Sequence, residues 1–155
     1  AIDTRDSKGE IVSRIGIRQD ANIITKDMDI FEFYKWAAAQ KDIHCVFVDE
    51  AQFLTTEKVY QLSRIVDVYN VPVMAYGLRT DFKGNLFEGS QALMAIADKL
   101  VELKGVCHCG KKATMVARVT EDGLPITDGS QIEIGDTDRY VSLCRKHWND
   151  LTGLL

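Results

Sequence analysis

The sequence predicts an α/β fold: an open parallel sheet whose strands alternate with helices, followed by a small antiparallel β module. Three observations carry this. Short apolar runs without polar alternation, IHCVFV (Ile43–Val48) and VPVMAYGL (from Val71), read as strands buried on both faces. Stretches with apolar residues at helical spacing separate them, and strand–helix–strand order selects right-handed crossovers within one parallel sheet. After Val106 the pattern changes to short alternating runs broken by turn residues.

Taken in order, Ala1–Thr4 reads as the end of a strand or the loop leaving it, and a polar loop continues to about Asn22. DIFEFYKWAAAQ (Asp29–Gln40) predicts a helix with Ile30, Phe33, Tyr34 and Ala37 on one face. The strand Ile43–Val48 comes next. Thr56 is the expected N-cap of a second helix, with Val59, Leu62, Val66 and Tyr69 as its apolar stripe. The strand from Val71 begins near Pro72, which belongs at an edge. A loop, RTDFKGNLF (Arg79–Phe87), leads to a helix around Ser90–Ala97, and KLVELKGV (Lys99–Val106) predicts a further strand. Beyond it, ATMVARV, QIEIG and RYVSLC predict antiparallel strands with a turn at EDGLPITDG. The expected boundary lies near Gly105, with an α/β core over residues 1–105 and a β module over 106–155.

Composition narrows the function. At 155 residues, 46% hydrophobic and 27% charged, the chain can bury an ordinary core without a disulfide framework. A net charge of −4 argues against a nucleic-acid polymer as partner, because phosphate backbones select basic faces. No apolar run approaches the roughly 20 residues of a membrane span and no signal peptide is visible, so no membrane partner is expected. Cys45 sits in an apolar run and is expected to pack there, while Cys107, Cys109 and Cys144 fall near one another or beside a histidine. That distribution fits a metal site in a reducing compartment, and the cytoplasm is the expected location.

Two motifs carry chemistry. VFVDEAQF (Val46–Phe53) has the Walker B form, a buried strand delivering acids to the crevice at its carboxyl end. Asp49 would approach Mg²⁺ directly or through water, and Glu50 would act as base or orient the nucleophile. The same short pattern also begins ordinary surface loops. The second motif joins Cys107 and Cys109 of CHCG to Cys144 and His147 of CRKH, three thiols and an imidazole suited to tetrahedral Zn²⁺. One residue separates the first two cysteines where knuckles usually have two, and His108 between them is an alternative ligand. Four protein ligands leave no open position, which makes such a zinc structural. Phe82 and Phe87, taken alone, read as core.

Together AIDTR, FVDEAQF, VPVMAYGLRTDF, NLFEGS, KLVELKGVCHCGKKAT and IGDTDRYVSLCRKH resemble the tetrameric, zinc-containing thymidine kinases of bacteria and animal cytoplasm, in that family's order and spacing from Ala1 to about Trp148. The resemblance implies a P-loop-kinase-like open sheet and a zinc-ribbon-like module with a lasso loop. It implies transfer of the ATP γ-phosphoryl group to the 5′-hydroxyl of thymidine, with deoxyuridine a possible substrate, in pyrimidine salvage. By motif, Glu50 is the catalytic base, and Asp3, Arg5, Asp49 and Gln52 serve ATP and its Mg²⁺. Phe53, Leu78 and Phe82 wall the nucleoside, the lasso through Ile132, Glu133, Ile134 and Gly135 reads the thymine edge, and Tyr140 helps close it. A homotetramer and feedback inhibition by dTTP are implied as well. CHCG departs from the family's more usual cysteine spacing. No G-x-x-x-x-G-K-[ST] loop occurs in these residues; strand, loop and helix would take roughly 40 more at ordinary element lengths. Residues 1–155 alone are therefore expected to lack the main ATP grip and to be inactive. The competing expectation is a non-catalytic zinc-ribbon interaction module on a degenerate nucleotide-binding domain.

Overall fold

A computed structural model describes residues 9–13, 15–131 and 139–155. The chain divides into two compact units, one running to Leu78 and regaining Glu88–Ile96, the other made of Arg79–Phe87 and Ala97–Leu155. The second unit thus reaches back past Gly105 to Ala97 and takes in the loop around Phe82.

The first unit opens with an antiparallel hairpin, β1 (Glu10–Val12) and β2 (Arg18–Asp20), in the stretch expected to be loop. Helix α1 (Ile30–Ala38) starts where Asp29 accepts a hydrogen bond from the Glu32 amide, an N-cap that satisfies one orphan donor. Its buried face is Ile30, Phe31 and Tyr34, turned from the expected face by the inclusion of Phe31. Strand β3 (Val46–Val48) ends in a 3-10 turn (Ala51–Phe53), and α2 (Thr56–Tyr69) follows. The N-cap is Thr55, one residue before the expected Thr56, and its hydroxyl accepts from the Lys58 amide. Strand β4 (Val73–Ala75) pairs parallel with β3, Val46 opposite Val73 and Val48 opposite Ala75; α3 (Glu88–Ile96) completes the unit.

Among the described residues, core and sheet meet on one face. Val48 joins Ile30, Phe31 and Tyr34 of α1, Val59, Leu62 and Ile65 of α2, and Ala92 of α3, with Val46 and Val73 packed beside them. On the other face Phe47 is 67% exposed and Met74 is 48% exposed. Burial of both sheet faces was the expectation, and within the described residues one face is covered.

In the second unit, β5 (Gly105–Val106) and β6 (Lys112–Ala113) form a short antiparallel pair. The strand expected over Lys99–Val106 is reduced to its last two residues. Leu100, Val101 and Leu103 are exposed and, among the described residues, pair with no strand; a strand needs a ladder partner to hold its backbone. Strand β7 (Met115–Val119) lies between β8 (Pro125–Ile126) and β9 (Arg139–Leu143), both antiparallel to it, with Met115 opposite Leu143 and Val119 opposite Pro125. Helix α4 (Arg145–Thr152) closes the chain against this sheet, and Cys107, Ala117, Leu143, Cys144 and Trp148 make the unit's core.

Candidate functional sites

The acids of the first unit stand where a buried strand runs out. After Val48 the Asp49 carboxylate accepts the Glu50 amide at 2.9 Å, a local bond that turns the backbone. Glu50 then takes the left-handed conformation (φ 51°, ψ 37°). Among the described non-glycine residues only Asn70 shares a positive φ, and Asn tolerates it at the end of α2. For a glutamate the conformation costs about 1–2 kcal/mol and must be held by its surroundings. The holding is visible: the Ala51 amide donates to the Tyr76 carbonyl at 2.8 Å, and the Tyr76 amide donates to the Val48 carbonyl at 2.8 Å.

Gln52 lies beneath this turn, 2% exposed. Its Nε2 donates to Glu50 Oε2 at 2.5 Å, and its Oε1 accepts the Leu78 amide at 3.0 Å. Two glycines permit the approach. A Cβ on Gly77 would lie 2.4 Å from Gln52 Oε1, and one on Gly89 would lie 2.4 Å from the Ala51 carbonyl oxygen and 2.9 Å from that of Gln52. Next to Gly89, Ser90 donates its hydroxyl to the Leu78 carbonyl at 2.6 Å. Phe53 is half-buried and Leu78 is exposed. Asp49, Glu50, Gln52, Phe53 and Leu78 therefore gather in one place. Gly89 and Ser90, to which the sequence reading gives no role, belong there too; a Gly-Ser pair opening a helix was their only signal.

The second unit builds a different site. Cys107 follows β5 and enters a tight turn in which its amide donates to the Lys111 carbonyl and the Gly110 amide donates to the Cys107 carbonyl, both at 2.8 Å. Gly110 (φ 81°) takes the left-handed position that this turn requires. Cys144 precedes α4, and His147 stands on the first turn of that helix. The Sγ of Cys107 lies 3.4 Å from His147 Nδ1, that of Cys144 lies 3.5 Å from the same nitrogen, and the Cys109 and Cys144 sulfurs are 3.9 Å apart. All four donor atoms fall within 4.8 Å of one another, so this Cys₃His cluster could hold a metal ion. His108 stacks on His147 with ring centroids 4.3 Å apart and stands beside the cluster.

The protonation pattern fits a cation. The Cys109 amide above all, then the Cys144 amide and the His147 ring, hold the Cys107 thiol down to about 5. For Cys109 the Lys111 amide favours the thiolate, yet burial and the Cys107 and Cys144 sulfurs together push its thiol above the ordinary value. One thiolate thus hinders the next, and a dication at the centre removes that conflict.

Other site residues fall in this unit. Phe82 is 2% exposed, with the Arg118 guanidinium 5.5 Å and the Lys83 ammonium 5.7 Å from its ring centroid. Tyr140, on β9, is exposed. Asp3, Arg5, Ile132, Glu133, Ile134 and Gly135 lie outside the described residues.

Residues 1–148 match the family model described as thymidine kinase. The chain belongs to the thymidine kinase family. It is 79% identical over 152 residues to the thymidine kinase of Enterobacteria phage T4, covering 98% of this chain and 78% of that protein. Against the thymidine kinase of Mannheimia succiniciproducens it is 52% identical over 155 residues, covering 100% of this chain and 80% of the relative. Against that of Salmonella typhimurium it is 52% identical over 149 residues, covering 96% and 73%. The thymidine kinase match includes both the Asp49–Glu50 turn and the Cys₃His cluster.

Proposed function

We propose that the parent protein is an ATP-dependent thymidine kinase in which Glu50 is the general base. The observation that carries this is Glu50 itself, held at the carboxyl end of β3 in a backbone conformation that only surrounding structure sustains. In the reaction Glu50 accepts the proton of the thymidine 5′-hydroxyl, the oxygen forms a bond to the γ-phosphorus, and the bond to the ADP oxygen breaks. Thymidine monophosphate and ADP leave.

Asp49 presents a single carboxylate beside this base, the donor set Mg²⁺ uses when substrate phosphates complete its shell. When bound, Mg²⁺ neutralises charge on the phosphate oxygens. Asp3 and Arg5 are assigned to the phosphates and the metal by their motif alone. Phe53, Leu78 and Phe82 are assigned to the nucleoside, with Tyr140 and the lasso Ile132–Gly135 reading the thymine edge through backbone groups. A water-poor site of that kind penalises any base that leaves those groups unpaired. In the second unit Cys107, Cys109, Cys144 and His147 would hold a structural Zn²⁺, chosen by three soft thiolates and an imidazole.

Functionally, residues 1–105 carry the phosphoryl chemistry and residues 106–155 the metal and the lasso. Homotetramer assembly and inhibition by dTTP belong to the same proposal and rest on the family resemblance alone. A site built on three free thiols suits a reducing cytoplasm, and no helix among the described residues is long and apolar enough to cross a membrane. A non-catalytic interaction module would have no use for a strained glutamate at a strand end.

Steady-state turnover of thymidine and ATP by the parent and by Glu50→Gln tests the proposal. The variant should bind thymidine, read as a thermal shift, while losing most of kcat. Parent turnover in Glu50→Gln would remove Glu50 from the mechanism.

A further inference from the structure

We infer that Gln52 is a positioning residue for Glu50, acting through the carboxylate of the base and not on the nucleotide. The inference rests on the reading of Glu50 as base and deepens it.

Gln52 is spent on protein partners. The side chain is 2% exposed, and both ends of its amide are engaged within the first unit. The amide orientation follows from chemistry. The Leu78 N–H can only donate, so it requires Oε1; the Glu50 carboxylate can only accept, so it requires Nε2. A flipped amide would set donor against donor and oxygen against oxygen. Leu78 is itself pinned from the other side, because Ser90 Oγ donates to its carbonyl at 2.6 Å. The result is a chain of hydrogen bonds from α3 to the base: Ser90 to the Leu78 peptide, Leu78 to Gln52, Gln52 to Glu50 Oε2.

This chain answers a specific problem. A glutamate side chain has three torsions, and a base must keep its oxygen in line with one hydroxyl through the transfer. The left-handed backbone at Glu50 aims the side chain, and the Gln52 amide removes the remaining freedom by fixing one carboxylate oxygen. Oε2 carries the amide bond and Oε1 takes the proton. Gly77 is part of the device, since any side chain there would collide with Gln52 Oε1. A neutral amide suits the task because it orients the carboxylate without placing a cation beside it.

The test separates kcat from KM and uses a double-mutant cycle. Gln52→Met keeps the length of the side chain and removes the amide; Gln52→Asn keeps an amide one methylene too short to reach Glu50. Both are measured alone and in the Glu50→Gln background, with a thymidine-induced thermal shift as the check on folding. Each Gln52 variant should lower kcat by about 10–100-fold, the scale of a misplaced catalytic group, with KM for ATP within about twofold of the parent. In the Glu50→Gln background the same changes should cost no further kcat, because the group they position has gone. A raised KM for ATP with kcat preserved would overturn the inference in favour of a nucleotide contact. Equal losses in both backgrounds would overturn it in favour of a general packing role. If Gln52→Met fails to fold, a folded Gln52→Asn with parent kcat overturns it alone. Full turnover by Glu50→Gln would instead sink the base assignment on which the inference stands, a result read without any Gln52 variant.

Discussion

Trp148 donates its indole N–H to the carbonyl of Phe82 at 3.2 Å while also reaching the Val116 carbonyl at 3.0 Å. The side chain is 1% exposed and stands next to His147 on α4, so the helix that carries a candidate metal ligand also fastens the loop that carries Phe82. Trp148→Phe removes the donor and leaves both carbonyls without it. The loss should cost about 1–3 kcal/mol, seen as a fall of roughly 2–12 °C in the unfolding midpoint for a chain of this size. Thymidine affinity should fall with it, measured by calorimetric titration. An unchanged midpoint would show that the indole contributes by packing alone.

The backbone at Glu50 predicts an opposition between stability and activity. Glycine enters the left-handed region without steric cost, so Glu50→Gly relieves strain of about 1–2 kcal/mol while deleting the base. Thermal unfolding should occur no more than about 1 kcal/mol below the parent, and turnover should vanish. A variant that is both inactive and strongly destabilised would mean that the Gln52–Glu50 bond contributes more than the strain it opposes.

Gly89 allows no side chain. A Cβ there would come within 2.4 Å of the Ala51 carbonyl oxygen and 2.8 Å of that of Leu54, both backbone atoms that move only with the turn. Gly89→Ala should therefore destabilise by about 1–3 kcal/mol, as overpacking does, and lower kcat by shifting the turn that holds Glu50. Parent-like melting and turnover would show that α3 can slide away freely.

The metal site predicts about one zinc per chain by elemental analysis, retained at neutral pH. Cys144→Ser should lose it, and chelation should loosen the second unit, visible in near-ultraviolet circular dichroism through Trp148. Protons compete for the same lone pairs. With Cys107 held down to about 5, its thiolate persists from neutral pH to near that value. Below that value protons also compete for Cys107, so metal affinity should fall more steeply there, followed with a zinc-sensitive dye. Zinc surviving in a Cys109→Ala/Cys144→Ser double variant would bring in His108, stacked 4.3 Å from His147.

Much of this was legible in short stretches of sequence. Asp49 and Glu50 announce themselves because a run of apolar β-formers ends abruptly in two acids, and Cys107, Cys109, Cys144 and His147 because thiols and imidazole are scarce and clustered. The helices followed their spacing, although Thr55 displaced Thr56 as cap and Phe31 entered the buried face of α1. What stayed hidden was set by partners distant in the chain. Nothing local in Lys99–Leu103 says that an apolar stretch will find no ladder among the described residues, and nothing near Phe47 says that its side chain will be exposed. The left-handed turn at Glu50 depends on Tyr76, the orientation of Gln52 on Leu78, and the value of Gly89 on carbonyls of the Ala51–Leu54 turn. None of these has a periodic signature.

The bond from Trp148 to Phe82 spans 66 residues, and it sets an order of events during synthesis. A ribosome adds about 5–20 residues each second, so the Phe82 loop emerges several seconds before the indole that fastens it. Throughout that interval the Phe82 carbonyl has no indole to fasten it. Slowing translation after Phe87 should lengthen that interval and lower the yield of folded chain, while slowing it before Arg79 should not.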